Sequence, residues 1–137
     1  MLVKDVMRVG AEWVGPDTTV RDVAVKMRDL EIGSLAVCNE GKPLGIVTDR
    51  DIALRCCADA KDPATATAGE VMTKNLAWCY NDQKIEDAAH LMEKRHIRRL
   101  PVLDREEKMI GFLSVDDIAA KASFELGGEV LKEAAGI

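Results

Sequence analysis

The chain has 137 residues, 47% of them hydrophobic and 31% charged, with a net charge of −5 and a pI near 5.1. This size allows one compact domain or two small repeats sharing a core, since a unit of about 60 residues alone buries little surface. The acidic balance argues against a general nucleic-acid binder and the lack of any ~18-residue apolar run against a membrane span; MLVKDVMRVGAEW contains no signal-like stretch, so a soluble cytoplasmic protein is expected.

Residues 3–7 read as a short helical turn or lead-in, and Glu12-Trp13-Val14 as a short strand followed by a Pro16-Asp17 turn. Val20, Val23, Ala24, Met27 and Leu30 have the spacing of an amphipathic helix. Thr19 with Asp22 resembles a capping box at its start, and Ile32-Gly33 ends it. Residues 34–38 form an apolar run too short for a helix, hence a buried strand. Residues 44–47 form another, and the turn-forming 39–43 suit a hairpin between them. Thr48 then opens a helix through Asp51, Ile52, Ala53 and Leu54. The stretch ADAKDPATATAG, 58–69, reads as a connection. Trp78 marks the next strand, and Ile85, Ala88, Ala89 and Met92 form a second helical stripe. Residues 100–103 and 110–113 are two further strands, Ser114 opens another helix, and 124–135 can form one more.

The second half of this list repeats the first. A shift of 65 lays Val6-Met7 on Val71-Met72, Trp13 on Trp78, Asp17 on Asp82, Asp22 on Asp87, Met27 on Met92 and Val37 on Val102. One extra residue then enters, and a shift of 66 lays Gly45 on Gly111 and Asp51-Ile52-Ala53 on Asp117-Ile118-Ala119. The chain is therefore two copies of one unit, at 1–60 and 66–122, with a helical tail at 123–137. Each copy runs strand, helix, strand, strand, helix, an α+β arrangement. Two such copies related by a pseudo-twofold axis would leave a matched pair of clefts, where ligands favour binding.

At the second strand-to-helix junction of each copy lies a motif of Gly, a hydrophobic residue, any residue, Thr or Ser, two of any kind, and Asp. It is Gly45-Ile46-Val47-Thr48-Asp49-Arg50-Asp51 in the first copy and Gly111-Phe112-Leu113-Ser114-Val115-Asp116-Asp117 in the second. Occurring twice, in register with a whole-chain repeat, it resembles the tandem CBS (cystathionine-beta-synthase-type) domain pair over nearly the whole chain. His96-Ile97-Arg98-Arg99-Leu100-Pro101-Val102, basic residues leading into a strand, is a second family feature. The resemblance implies β-α-β-β-α repeats that bind AMP, ADP or ATP, or alternatively S-adenosylmethionine, and sense them. It implies that Asp51 and Asp117 accept from ribose hydroxyls, with Thr48 and Ser114 on ribose or phosphate. Arg98, Arg99 and His96 would face phosphate, and adenine would lie against apolar residues such as Ile46 and Phe112. It also implies a homodimer acting as a regulatory module with no cofactor, no metal and no catalysis. The chemistry is sound: an ionised carboxylate accepts both donors of a cis-diol.

Other readings stand beside these. Thr48-x-x-Asp51 and Ser114-x-x-Asp117 are also what a helix start needs without any ligand. Asp in place of the usual Glu or Gln, and the recurring Gly, favour a binding role. Gly33 and Ser34 stand where the second copy has Arg98 and Arg99, so the two sites are not equivalent. Trp13 and Trp78 recur at one phase, where core or interface packing is favoured over adenine stacking. Cys38, Cys56, Cys57 and Cys79 form no C-x-x-C and read as reduced thiols. The rival functions are a ligand-free protein-interaction module and a redox- or metal-responsive protein using the cysteines.

Overall fold

The structure, a computed structural model, describes residues 1–10, 12–74, 77–122 and 128–132. The chain opens with helix α1 (Val3–Val6) and strand β1 (Arg8–Val9), then β2 (Trp13–Val14), helix α2 (Val20–Leu30), β3 (Ser34–Asn39) and β4 (Lys42–Thr48). Helix α3 (Asp49–Ile52) runs on into a π-helical turn (Ala53–Cys57). After the connection come α4 (Ala68–Val71), β5 (Cys79–Tyr80), α5 (Ile85–Arg95), β6 (Arg99–Leu103), β7 (Met109–Ser114) and α6 (Val115–Lys121). Both copies thus contain the expected strand–helix–strand–strand–helix order. Residues 128–132 are helical, with Val130 buried; the rest of the expected tail helix lies outside the described residues.

Two compact units result, and they are cut differently from the repeat. The inner unit is the continuous segment Glu12–Leu76, and the outer unit joins Met1–Ala11 to Ala77–Ile137. The lead-in of each copy therefore packs on the body of the other. It does so through the same backbone hydrogen bonds. In the outer unit Val3 N donates to Gln83 O (2.8 Å), Lys4 N to Asn81 O (2.9 Å) and Ile85 N to Met1 O (3.1 Å). At matched positions of the inner unit Ala68 N donates to Thr18 O (2.8 Å), Gly69 N to Pro16 O (2.9 Å) and Val20 N to Ala66 O (2.8 Å).

The inner sheet has the order β2-β3-β4, with β2 parallel and β4 antiparallel to β3. The outer sheet repeats this as β5-β6-β7 and adds β1 antiparallel to β7, giving β1-β7-β6-β5. In the inner unit the counterpart of β1 is a single bridge between Ile46 and Thr73, with both N–H···O bonds made at 3.1 and 2.8 Å.

Helix α2 buries Val20, Val23 and Met27, and Thr19 Oγ1 accepts from Asp22 N at 3.2 Å, satisfying one orphan donor of the first turn. It stops at Leu30 rather than at Ile32, because Glu31 turns left-handed (φ 54°) and its N–H closes on Arg28 and Met27 carbonyls. Helix α5 buries Ile85, Ala88, Ala89 and Met92 and stops in the same way on His96 (φ 56°). Each unit has its own aliphatic core. Val3 and Val6 of α1 join Leu100, Leu113 and Ile118 in the outer one; Ala68 and Val71 of α4 join Leu35, Val37 and Val47 in the inner one.

Candidate functional site

The site in each unit is built where β4 or β7 passes into the following helix. Thr48 is the N-cap of α3: Asp51 N donates to Thr48 Oγ1 at 3.0 Å, and Thr48 N donates back to Asp51 Oδ2 at 3.0 Å. Ser114 is the N-cap of α6, with Asp117 N donating to its Oγ at 3.1 Å. Its hydroxyl in turn donates to Asp117 Oδ2 at 2.8 Å. The motif hydroxyl and the motif aspartate are thus one hydrogen-bonded pair in both units.

Asp51 and Asp117 are the two buried charged residues among those described, at 8% and 4% exposure. A buried carboxylate must be paired or lose much of its hydration energy uncompensated. The partners come from the lead-in docked alongside. Arg8 Nε reaches Asp117 Oδ1 at 3.1 Å. Thr73 Oγ1, at the matched position, reaches Asp51 Oδ1 and Oδ2 at 3.2 and 3.3 Å. Arg55 Nη1 stands 3.9 Å from Asp51 Oδ1 and donates to the Val71 and Met72 carbonyls at 3.1 and 2.8 Å. Its counterpart Lys121 donates to Val6 O at 3.4 Å. These two cations serve the carbonyls that α4 and α1 leave unpaired at their ends.

The motif glycine faces the same lead-in. A Cβ on Gly45 would stand 2.6 Å from Thr73 O, and one on Gly111 would collide with Arg8 O. The close approach demanded of this residue is therefore to the chain's own backbone.

Ile46 and Phe112 are half-buried and lie at matched positions, the one bridged to Thr73 and the other paired with Arg8. Arg99 sits opposite Ser114 across β6 and β7, as Ser34 sits opposite Thr48 across β3 and β4. Arg98 is exposed, and its carbonyl accepts from Val115 N at 3.0 Å. His96 is the left-handed C-cap of α5, a position that Glu31 fills in the first copy. Trp13 and Trp78 are 45% and 44% exposed, which removes them from the core. Arg8, Thr73, Arg55 and Lys121 were not anticipated from the sequence. The signal was present: the shift of 65 superposes Arg8 on Thr73, and the shift of 66 superposes Arg55 on Lys121.

Burial pushes the Cys38 thiol up to about 11 and the Cys79 thiol up to about 12. Cys56 is also raised, by burial first and then by Cys57 beside it. Cys57 is exposed. Among the described residues no three His, Cys, Asp or Glu side chains are grouped so as to hold a metal ion. None of the described helices is long and apolar enough to cross a membrane.

Two α+β units, each with a capped, buried aspartate at the same strand-to-helix junction, define a tandem-repeat protein in which one motif recurs in each half. The chain belongs to the CBS-domain family, whose family model matches residues 3–56 and 68–123. It is 35% identical to the CBS domain-containing protein YhcV of Bacillus subtilis over 130 residues, 94% of this chain and 91% of that protein. A solved structure of Hypoxic Response Protein I with two coordinated zinc ions superposes with a TM-score of 0.80 at 32% identity, over 88% of this chain and 98% of that one. The CBS domain pair of protein MJ0100, in complex with 5′-methylthioadenosine and S-adenosyl-L-methionine, superposes with a TM-score of 0.76 at 28% identity, over 88% and 98%.

Proposed function

We propose that this protein is a regulatory module, not a catalyst, that binds an adenosine compound at the motif of each unit and reports its presence. The candidate ligands are AMP, ADP, ATP and S-adenosylmethionine. The observation that carries this reading is the state of the two aspartates. Each is buried and held in one orientation by its capping residue, through the Thr48 N–H on Asp51 and the Ser114 hydroxyl on Asp117, yet a carboxylate offers roughly four acceptor positions, more than these donors and those of the lead-in fill. A cis-diol supplies two donors to such a group. The adenosine compounds held by the MJ0100 pair support the choice of ligand class. Arg99, in register with Ser114, supports phosphate contact in the outer unit, and Ser34 opposite Thr48 supports a different preference in the inner one. The protein acts as a cytoplasmic homodimer, and ligand shifts it between states by its differential affinity for them.

Isothermal titration calorimetry with AMP, ATP and S-adenosylmethionine tests this. Saturable heat and a melting point that rises with ligand are expected. Asp117→Asn or Asp51→Asn should each weaken one binding event by roughly 10- to 150-fold, the size of a lost hydrogen bond to an ion.

A second reading has its own observation. Both aspartates already accept from donors of the lead-in, and packing accounts for the motif glycine, so the motif has a structural role without a ligand. A protein-interaction module that binds no nucleotide follows if millimolar ligand gives neither heat nor a melting shift.

A further inference from the structure

Arg8 and Thr73 occupy matched positions, yet one is a cation and the other a neutral hydroxyl. Each donates to the motif aspartate of its unit. The main chain of Arg8 is fixed by its pairing with Phe112 and by the tight approach to Gly111. Its side chain is 77% exposed, whereas that of Asp117 is 5% exposed. The carboxylate is held in place, and the guanidinium can pivot about a fixed backbone.

We propose that Arg8 sets the charge preference of the outer site. It neutralises Asp117 while the site is empty. It turns to an anionic group of the ligand once sugar hydroxyls take over the carboxylate. The outer site then selects a 5′-phosphorylated adenosine, and the inner site, with Thr73, an uncharged or cationic one. This deepens the adenosine reading and rests on it.

The argument is one of charge replacement. Arg8 Nε and Ser114 Oγ each occupy one oxygen of Asp117. A cis-diol that displaces Nε supplies hydrogen bonds but no charge. The guanidinium then lacks a counter-charge until an anion comes within reach, and its planar fork of donors matches phosphate oxygens. A neutral ligand leaves it turned to water and gains less. In the inner unit, displacing the Thr73 hydroxyl from Asp51 releases no charge. Arg55, the cation beside Asp51, already donates to the Val71 and Met72 carbonyls. A phosphate there finds no released partner.

The test is calorimetry on the full chain with AMP and with 5′-methylthioadenosine, adenosine compounds with and without a 5′-phosphate. Arg8→Thr, which installs the inner unit's residue, should weaken AMP by roughly 10- to 100-fold, as for loss of a charge-assisted contact. It should leave methylthioadenosine as tight or tighter. AMP binding by the wild type should also fall more steeply with added salt than AMP binding by Arg8→Thr. Equal weakening of both ligands, or of neither, overturns the assignment. Should Arg8→Thr fail to give a cooperative melt, Thr73→Arg makes the same decision. It should raise AMP affinity at the inner site, and no gain overturns the role. A wild-type chain that binds neither of these ligands, nor ATP or S-adenosylmethionine, removes the adenosine reading itself and the role with it; binding that is independent of Arg8 removes the role alone.

Discussion

Each motif position answers to a contact inside its own unit. The glycine is needed because the lead-in backbone lies against it. Gly111→Ala and Gly45→Ala should therefore destabilise the fold by about 1–3 kcal/mol, the usual cost of forcing atoms into a filled space. Urea unfolding measures this. A glycine that served ligand approach alone would lose affinity at unchanged stability. The buried thiols give a pH dependence of definite sign. Their folded values are raised, to about 11 for Cys38 and about 12 for Cys79, from a reference of 9.0. A group raised on folding contributes stability that is full below its unfolded value and is lost as pH climbs towards the folded one. The urea midpoint should accordingly fall between pH 9 and 11. In a Cys38→Ala, Cys79→Ala variant that fall should be shallower. An equal fall in both proteins would assign the effect to other groups.

At the scale of elements, the lead-in helix is held by a cation from the end of the other copy's fold. Arg55 Nη1 closes two carbonyls of α4 and lies near Thr73 Oγ1 at 3.4 Å, with its side chain 47% exposed. Removing it in Arg55→Met should cost about 1 kcal/mol, since water and salt already screen part of the interaction. The amide of Thr73, bonded to Ile46 O, should then exchange faster. Lys121→Met, which breaks a longer 3.4 Å bond, should have the smaller effect. Unchanged exchange at Thr73 would make Arg55 a bystander. The regular elements were legible because their signals are local. The stripe of Val20, Val23 and Met27 and the apolar runs of β3, β6 and β7 carry their own periodicity. Strand β1 was not legible: Arg8-Val9 is two residues long and exposed, and its pairing is decided by Gly111 more than a hundred residues on. The site was half legible for the same reason. Thr48 with Asp51 and Ser114 with Asp117 lie three residues apart and cap their helices, whereas Arg8 and Thr73 meet those aspartates only through the exchange of lead-ins. Nor did any pattern in Ala53–Cys57 forecast a π-helical turn where the second copy stays α-helical.

For the whole chain, the interleaving makes the two units unequal in assembly although they are alike in structure. The inner contact between Thr73 and Asp51 closes 22 residues, whereas the outer contact between Arg8 and Asp117 closes 109. By chain statistics alone that difference costs about 1.4 kcal/mol, and long-range closures also come later in folding. The inner unit is one continuous segment and the outer unit needs both ends of the chain. Deleting residues 1–10 therefore removes nothing from the inner core. It strips the outer one of Val3 and Val6, each fully buried and worth about 1.5–3 kcal/mol, and leaves Asp117 without Arg8. That loss is large against the 5–15 kcal/mol that holds a typical domain together. Hydrogen exchange on the truncated chain should find the amides of β6 and β7 unprotected while those of β3 and β4 keep most of their protection. Single-tryptophan variants give an independent reading, because Trp13 belongs to the inner unit and Trp78 to the outer. In Trp13→Phe the truncation should lower the urea midpoint reported by Trp78, and in Trp78→Phe it should leave that reported by Trp13 nearly in place. Equal loss of protection in both sheets, or equal shifts at both tryptophans, would show that the repeat boundaries, not the interleaved units, set the folding of this chain.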